Sequence, residues 1–152
     1  MLRNKFTKIV FILLTCCFSW LTGCQTNRHV IEESSLSAAE HRRAIVTVFG
    51  DVRQISQNGR ELFSHYHDKK FNFIDDPTKV SVRYFTKTSI LGVRRPFEVL
   101  VEVHRERKDP ETKQFLDQGL DDGLSQKRLS ELRTVLNQSR GNSQEFDVEN
   151  PF

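Results

Sequence analysis

His65, Tyr66, His67 and Asp68 form the densest run of potential ligands in this chain. Imidazoles at i and i+2 of an extended strand project to one side about 7 Å apart, a spacing that metal sites on sheets use. His104 would be the third ligand if strand pairing brought it close. No cysteine is left to complete such a site, and surface or hydrogen-bonded histidine is the simpler assignment for all three. Arg94 and Arg95, between Gly92 and Pro96, could grip an anionic ligand such as a phosphate or a lipid head group. A solvated turn with local ion pairs is the simpler account of them. Asp117, Asp121 and Asp122 surround Gly119 and Gly123 but lack the alternating ligand spacing of a calcium loop. Ser64 and His65 are adjacent, which sends their side chains to opposite faces of a strand. The chain has no G-x-S-x-G elbow, P-loop, dinucleotide fingerprint or H-E-x-x-H. The expectation is therefore a non-enzymatic protein without metal or cofactor.

The elements that would position these residues read as strands first and helix last. Ile45 to Gln57 is taken as a strand bent at Gly50-Asp51. Asn58-Gly59 is a hairpin signal of the type I′ kind, setting Gln57 opposite Arg60 and Ile55 opposite Leu62, with a return strand from Arg60 to His67. A third strand, Lys79 to Thr88, alternates Val80, Val82 and Tyr84 against Ser81, Arg83 and Lys87, with Phe85 on the wrong side. The fourth, Phe97 to Arg107, places Phe97, Val99, Val101 and Val103 on one face and Glu98, Glu102 and His104 on the other, with Leu100 on the polar side. Arg83 and Lys87 should then meet Glu98 and Glu102 across the hairpin. Ser125 to Arg140 is a helix capped by Ser125, stapled by Leu124 to Leu129 and closed by Gly141. Its stripe of Leu129, Leu132, Val135 and Leu136 should cover the apolar face of the sheet. The fold class is α+β: a four- to five-stranded, mainly antiparallel meander with a C-terminal amphipathic helix on one face.

Upstream, Arg3, Lys5 and Lys8 precede an apolar run from Ile9 to Trp20. That run is about a dozen residues, short of the roughly 20 that span a bilayer, and has the layout of a secretory signal. A signal cleaved without lipidation and a retained anchor are the alternatives. The run closes on Leu21-Thr22-Gly23-Cys24, which resembles the lipobox of bacterial lipoproteins. The resemblance implies cleavage before Cys24 and a covalent lipid on it, diacylglycerol plus an N-acyl chain. A single acyl chain, at about 0.8 kcal/mol per buried methylene, holds a membrane only marginally, whereas several anchor stably. Gln25 after the cysteine resembles the outer-membrane sorting choice, which implies the periplasmic face of the outer membrane in a Gram-negative host.

Removing residues 1–23 changes the composition. The formal net charge of +3 comes wholly from Arg3, Lys5 and Lys8, so the remainder is neutral, with 20 basic and 20 acidic side chains. A neutral exported domain argues against a nucleic-acid partner. Cys16 and Cys17 leave with the signal, so no disulfide staples the domain. The expected organisation is a signal peptide at 1–23, lipidated Cys24 and polar tether at 24–43, one domain at 44–140 and a flexible tail at 141–152. The tether, Gln25 to about His41, would reach roughly 60 Å when extended. Ser37 and Glu40 have capping-box spacing, so a short helix through Ala38 and Ala39 competes with a plain linker. Phe146 and Phe152 are possible docking points; Pro151 argues against a terminal barrel strand. The functional expectation is a membrane-anchored envelope lipoprotein acting through contacts with envelope proteins. The alternative is an envelope module that binds a small anionic ligand or metal.

Overall fold

A computed structural model describes residues 29–149, with side chains for 29–31 and 34–140. The signal, the lipobox, Cys24 and Phe152 lie outside the described residues. The elements are β1 (Val30–Ser34), α1 (Ala38–Phe49), β2 (Val52–Ile55), β3 (Glu61–Ser64), β4 (Val82–Leu91), β5 (Phe97–Lys108), β6 (Phe115–Leu120) and α2 (Asp122–Glu149). The strands form one antiparallel sheet with both helices on the same face. The fold is α+β, with six strands instead of four or five.

The alternation in β4 and β5 sets the frame. Val99, Val101 and Val103 are fully buried beneath the helices, and opposite them stand Ile90, Thr88 and Thr86, exposed by 2% or less. From α2, Leu129, Leu132 and Leu136 pack on this face at helical spacing, with Val135 at the edge of the contact. Burying each such side chain fully contributes about 1.5 to 3 kcal/mol. The stripe therefore provides much of the stability of a domain this small.

The second edge of β5 is divided among three partners. β1 pairs with its first half, through Ile31 opposite Val99, and β6 with its second half, through Lys108 opposite Phe115. Between them the first turn of α2 completes the ladder: the Val103 N–H donates to Ser125 Oγ at 2.9 Å, and the Asp121 N–H donates to Val103 O at 2.9 Å. His29 ties the start of β1 to the same turn, 3.2 Å from Asp122 Oδ1 and 3.2 Å from Gln126 Oε1. Asp121 is the helix cap, its carboxylate accepting from the Leu124 N–H at 3.0 Å. Ser125 is thus a buried bridge and not the cap expected of it. Leu124 packs with Tyr84 and Val103 and not on Leu129. Gly141 does not end the helix, which continues through the expected tail to Glu149.

The larger correction concerns Ile45–Phe49, expected as strand and found as the last turns of α1. Local β preference loses to two stronger signals. Ser37 Oγ accepts from the Glu40 N–H at 3.2 Å while Glu40 Oε2 accepts from the Ser37 N–H at 2.6 Å, a complete capping box. His41, Ala44, Ile45 and Val48 recur at i, i+3, i+4 and i+7, so one helical face reaches the core. Gly50, at φ +75°, ends the helix with its N–H on Val46 O at 2.9 Å, so it is a C-cap and not a strand bend. Together with β1, this helix moves the start of packed structure from residue 44 to residue 29.

The hairpin keeps its expected register, Ile55 opposite Leu62, but not its turn type. Only Gly59, at φ +66°, takes positive φ. Its N–H bonds Ser56 O at 2.8 Å, and Ser56 N–H bonds Glu61 O at 2.9 Å, so Gln57–Arg60 is a four-residue loop. β3 stops at Ser64, and β4 starts at Val82 rather than Lys79. Among the described residues no helix is long and apolar enough to cross a membrane.

Candidate functional site

The sheet face away from the helices carries the unusual chemistry. In register terms it holds Phe63 from β3, Arg83, Phe85 and Lys87 from β4, Glu102, His104 and Glu106 from β5, and Phe115 and Asp117 from β6. Aromatic side chains on this face are only partly sheltered from water, and cations shelter them. Arg53, from edge strand β2, donates from Nε to Ser64 O at 3.0 Å and lays its guanidinium 4.4 Å from the Tyr66 ring centre and 5.0 Å from that of Phe85. Phe85 is consequently buried on what the alternation reads as the polar side.

Arg83 is held more tightly. Its guanidinium lies 3.8 Å from the Tyr66 centre and 3.7 Å from the Phe115 centre, and its Nε donates to Glu106 Oε2 at 2.5 Å. Arg83 therefore pairs with Glu106 and not with Glu98 or Glu102; Lys87 does stand opposite Glu102 but places its ammonium 3.0 Å from Glu61. Each cation–π contact adds about 0.5 to 2 kcal/mol, more as it is desolvated. Next along the row, the His104 ring stacks on Phe85 at 4.9 Å and 1°, with Nδ1 3.2 Å from Asp117 Oδ2 and Nε2 buried without a partner. Leu120, opposite His104, is 47% exposed and gives this row an apolar rim.

The histidines are not brought together. Because β3 ends at Ser64, the i, i+2 rule does not govern His65 and His67. His65 is exposed beside the Phe73 ring at 5.5 Å. His67 is 4% exposed on the helix side, stacked on Tyr84, with Nδ1 2.9 Å from Asp68 O and Nε2 3.3 Å from Thr86 Oγ1. His104 is on the opposite face, so the sheet separates it from His67. Among the described residues no three His, Cys, Asp or Glu side chains are grouped to hold a metal. Burial pushes the pKa of His67 down, and that of His41, which is fully buried with Nδ1 on Ser37 O at 2.8 Å.

Ser64 is also structural: its hydroxyl accepts the Thr86 N–H at 2.8 Å and donates to His65 O at 2.8 Å. Arg94 and Arg95 sit in the exposed turn between β4 and β5. Hydrogen bonds from Ser37 hold the Glu40 carboxyl below its usual pKa, and the charge of Arg95 adds to this. Asp117, Asp121 and Asp122 go separately to His104, the cap of α2 and His29.

Of the residues on this open face, neither type nor spacing in the sequence marks Arg53, Phe63 or Phe115, while Tyr66 stands out only within the His65–Asp68 run and Arg83 only as a partner for Glu98 and Glu102. Phe85 on the wrong side of β4 was the available signal: an aromatic on a polar face needs a cover. The arrangement presents flat rings interleaved with guanidinium planes across four strands. Aromatic and arginine side chains are the residue types that dominate the energetics of protein interfaces. No protein-family model, no curated protein and no solved structure matches this chain.

Proposed function

We propose that this chain is a membrane-anchored envelope lipoprotein that acts without catalysis, as a structural or protein-interaction module. The lipobox-like Leu21-Thr22-Gly23-Cys24 supports the anchor, with diacylglycerol and an N-acyl chain on Cys24 and an outer-membrane, periplasmic location. The observation that carries the interaction role is the open sheet face, where Phe63, Tyr66, Phe85 and Phe115 alternate with Arg53 and Arg83 and which, among the described residues, no helix covers.

Packing of His29 and β1 shortens the leash on this reading. Only the stretch from Cys24 to His29 remains as tether, at most about 18 Å when extended. The domain then works close to the bilayer, in place of the roughly 60 Å reach expected from residues 25–41, and its partners are envelope proteins at that surface. Fractionation of cells expressing wild type and Cys24→Ser tests the anchor. Wild type should float with membranes and Cys24→Ser should not; equal flotation of both refutes it.

A further inference from the structure

We infer that the groove between β1 and the second half of α2 is a binding site for a phosphate-bearing ligand. The cavity there has a volume of about 620 Å³, within the range of sites for small organic ligands. Leu36 and Leu136, both nearly buried, form its floor, and Arg133, Asn137 and Arg140 rise from one side of it. Ser34, 4% exposed, lines the opposite wall and makes no side-chain hydrogen bond among the described residues.

Arg133 and Arg140 are seven residues apart, close to two helical turns, so they share a face about 10 Å apart along the axis with Asn137 between them. Neither guanidinium has a carboxylate partner among the described residues, whereas Arg83 and Arg128 each have one. No acidic side chain is among the described residues lining the cavity. Two arginines without a carboxylate partner among the described residues suit a phosphate, which carries up to about two negative charges and three strong acceptor oxygens, better than a single carboxylate. Asn137 and Ser34 add uncharged donors for the remaining oxygens. The volume leaves room for more than the phosphate, and the leucine floor suits the carbon framework of an ester.

The chemistry is shared by two sources, a phospholipid head group and a soluble phosphate ester. Only the lipid source rests on the anchoring proposed above, which would hold β1 beside a bilayer; the anion site itself stands without it. The test uses the full chain with Cys24→Ser, so that no lipid anchor contributes. Nuclear magnetic resonance titration with inorganic phosphate and glycerol phosphate, and cosedimentation with phosphatidylcholine vesicles with and without phosphatidic acid, separate the sources. Shifts should centre on Ser34, Asn137 and Arg140. Arg133→Ala or Arg140→Ala should weaken binding at least about tenfold, the loss of one charge-assisted hydrogen bond, with unchanged thermal unfolding. Binding to either probe class with that loss supports the site. Binding to none of the probes overturns it, as does binding that Arg94→Ala weakens equally, which would indicate surface charge alone.

Discussion

Replacing Ser125 by alanine perturbs the junction that joins the sheet to α2. The Ser125 side chain is fully buried and occupies the gap between β1 and β6 on the second edge of β5. Its Oγ accepts from the Val103 N–H at 2.9 Å and donates to Asp121 O at 2.8 Å. Alanine removes the donor to Asp121, a net loss of about 0.5 to 1.5 kcal/mol, and strands the Val103 amide without an acceptor, which costs about 1 to 3 kcal/mol more. The sum is about 1.5 to 4.5 kcal/mol. Urea unfolding should show it as a lower midpoint at unchanged slope, and hydrogen exchange at Val103 should accelerate relative to Val99. Asp121→Ala should cost only about 1 kcal/mol, the value of a helix cap. Ser130→Ala, at an exposed serine whose hydroxyl donates to Lys127 O, is the control. A Ser125→Ala loss within about 0.5 kcal/mol of that control would refute the bridging role.

Ser37→Ala should destabilise by about 0.5 to 2 kcal/mol in urea unfolding by breaking the capping box of α1, while Glu40→Gln, which keeps an acceptor for the Ser37 amide, should cost less. Were residues 45–49 a strand, neither change would register. His41 and His67 have pKa values depressed by burial, so below about pH 6.5 the unfolded chain binds protons that the folded chain does not. Stability is fully present above that pH and falls below it, at up to about 1.4 kcal/mol per pH unit for each histidine. Urea midpoints that stay flat from about pH 7 to about pH 5 would contradict this; Asp76, whose pKa is lowered to about 2 by Thr78 and Lys79, acts only in far stronger acid. Arg83→Lys keeps a charge for Glu106 but not a plane for Tyr66 and Phe115, and should cost about 1 to 2 kcal/mol in the same assay. A neutral result would mean that the ion pair alone holds Arg83.

The central hairpin and the helix stripe were legible because their signals are local. Val99, Val101 and Val103 alternate over consecutive positions, and Leu129, Leu132 and Leu136 recur within single turns. The register Ile55 to Leu62 follows from centring the turn on Asn58-Gly59, which holds for the four-residue loop as for a two-residue one. Ile45–Phe49 misled because five consecutive residues of β preference were read without the cap upstream and the glycine downstream, which decide the period. β1 escaped notice because Glu32-Glu33-Ser34 reads as a polar tether; its pairing with β5 depends on a partner some 65 residues away in sequence. The open face was least legible of all. Arg53, Tyr66, Arg83 and Phe115 come from four separate segments, and their meaning appears only when five strands align. The same nonlocality separates His65 from His67, which strand spacing sets on one side about 7 Å apart, and leaves His104 on the opposite face from His67.

On the proposed reading, the sheet face away from the helices is where an anchored domain meets an envelope protein. Site-specific photocrosslinking in intact cells, with wild-type Cys24 and the probe at Glu102 or Leu120 on that face or at Thr134 or Gln138 on exposed positions of α2, tests it most directly. Discrete protein crosslinks from Glu102 and Leu120, lost with Arg53→Ala or Tyr66→Ala and absent from Thr134 and Gln138, are the predicted result. Crosslinks only from the α2 positions, or none from the sheet face of a protein that accumulates at wild-type level, would contradict it.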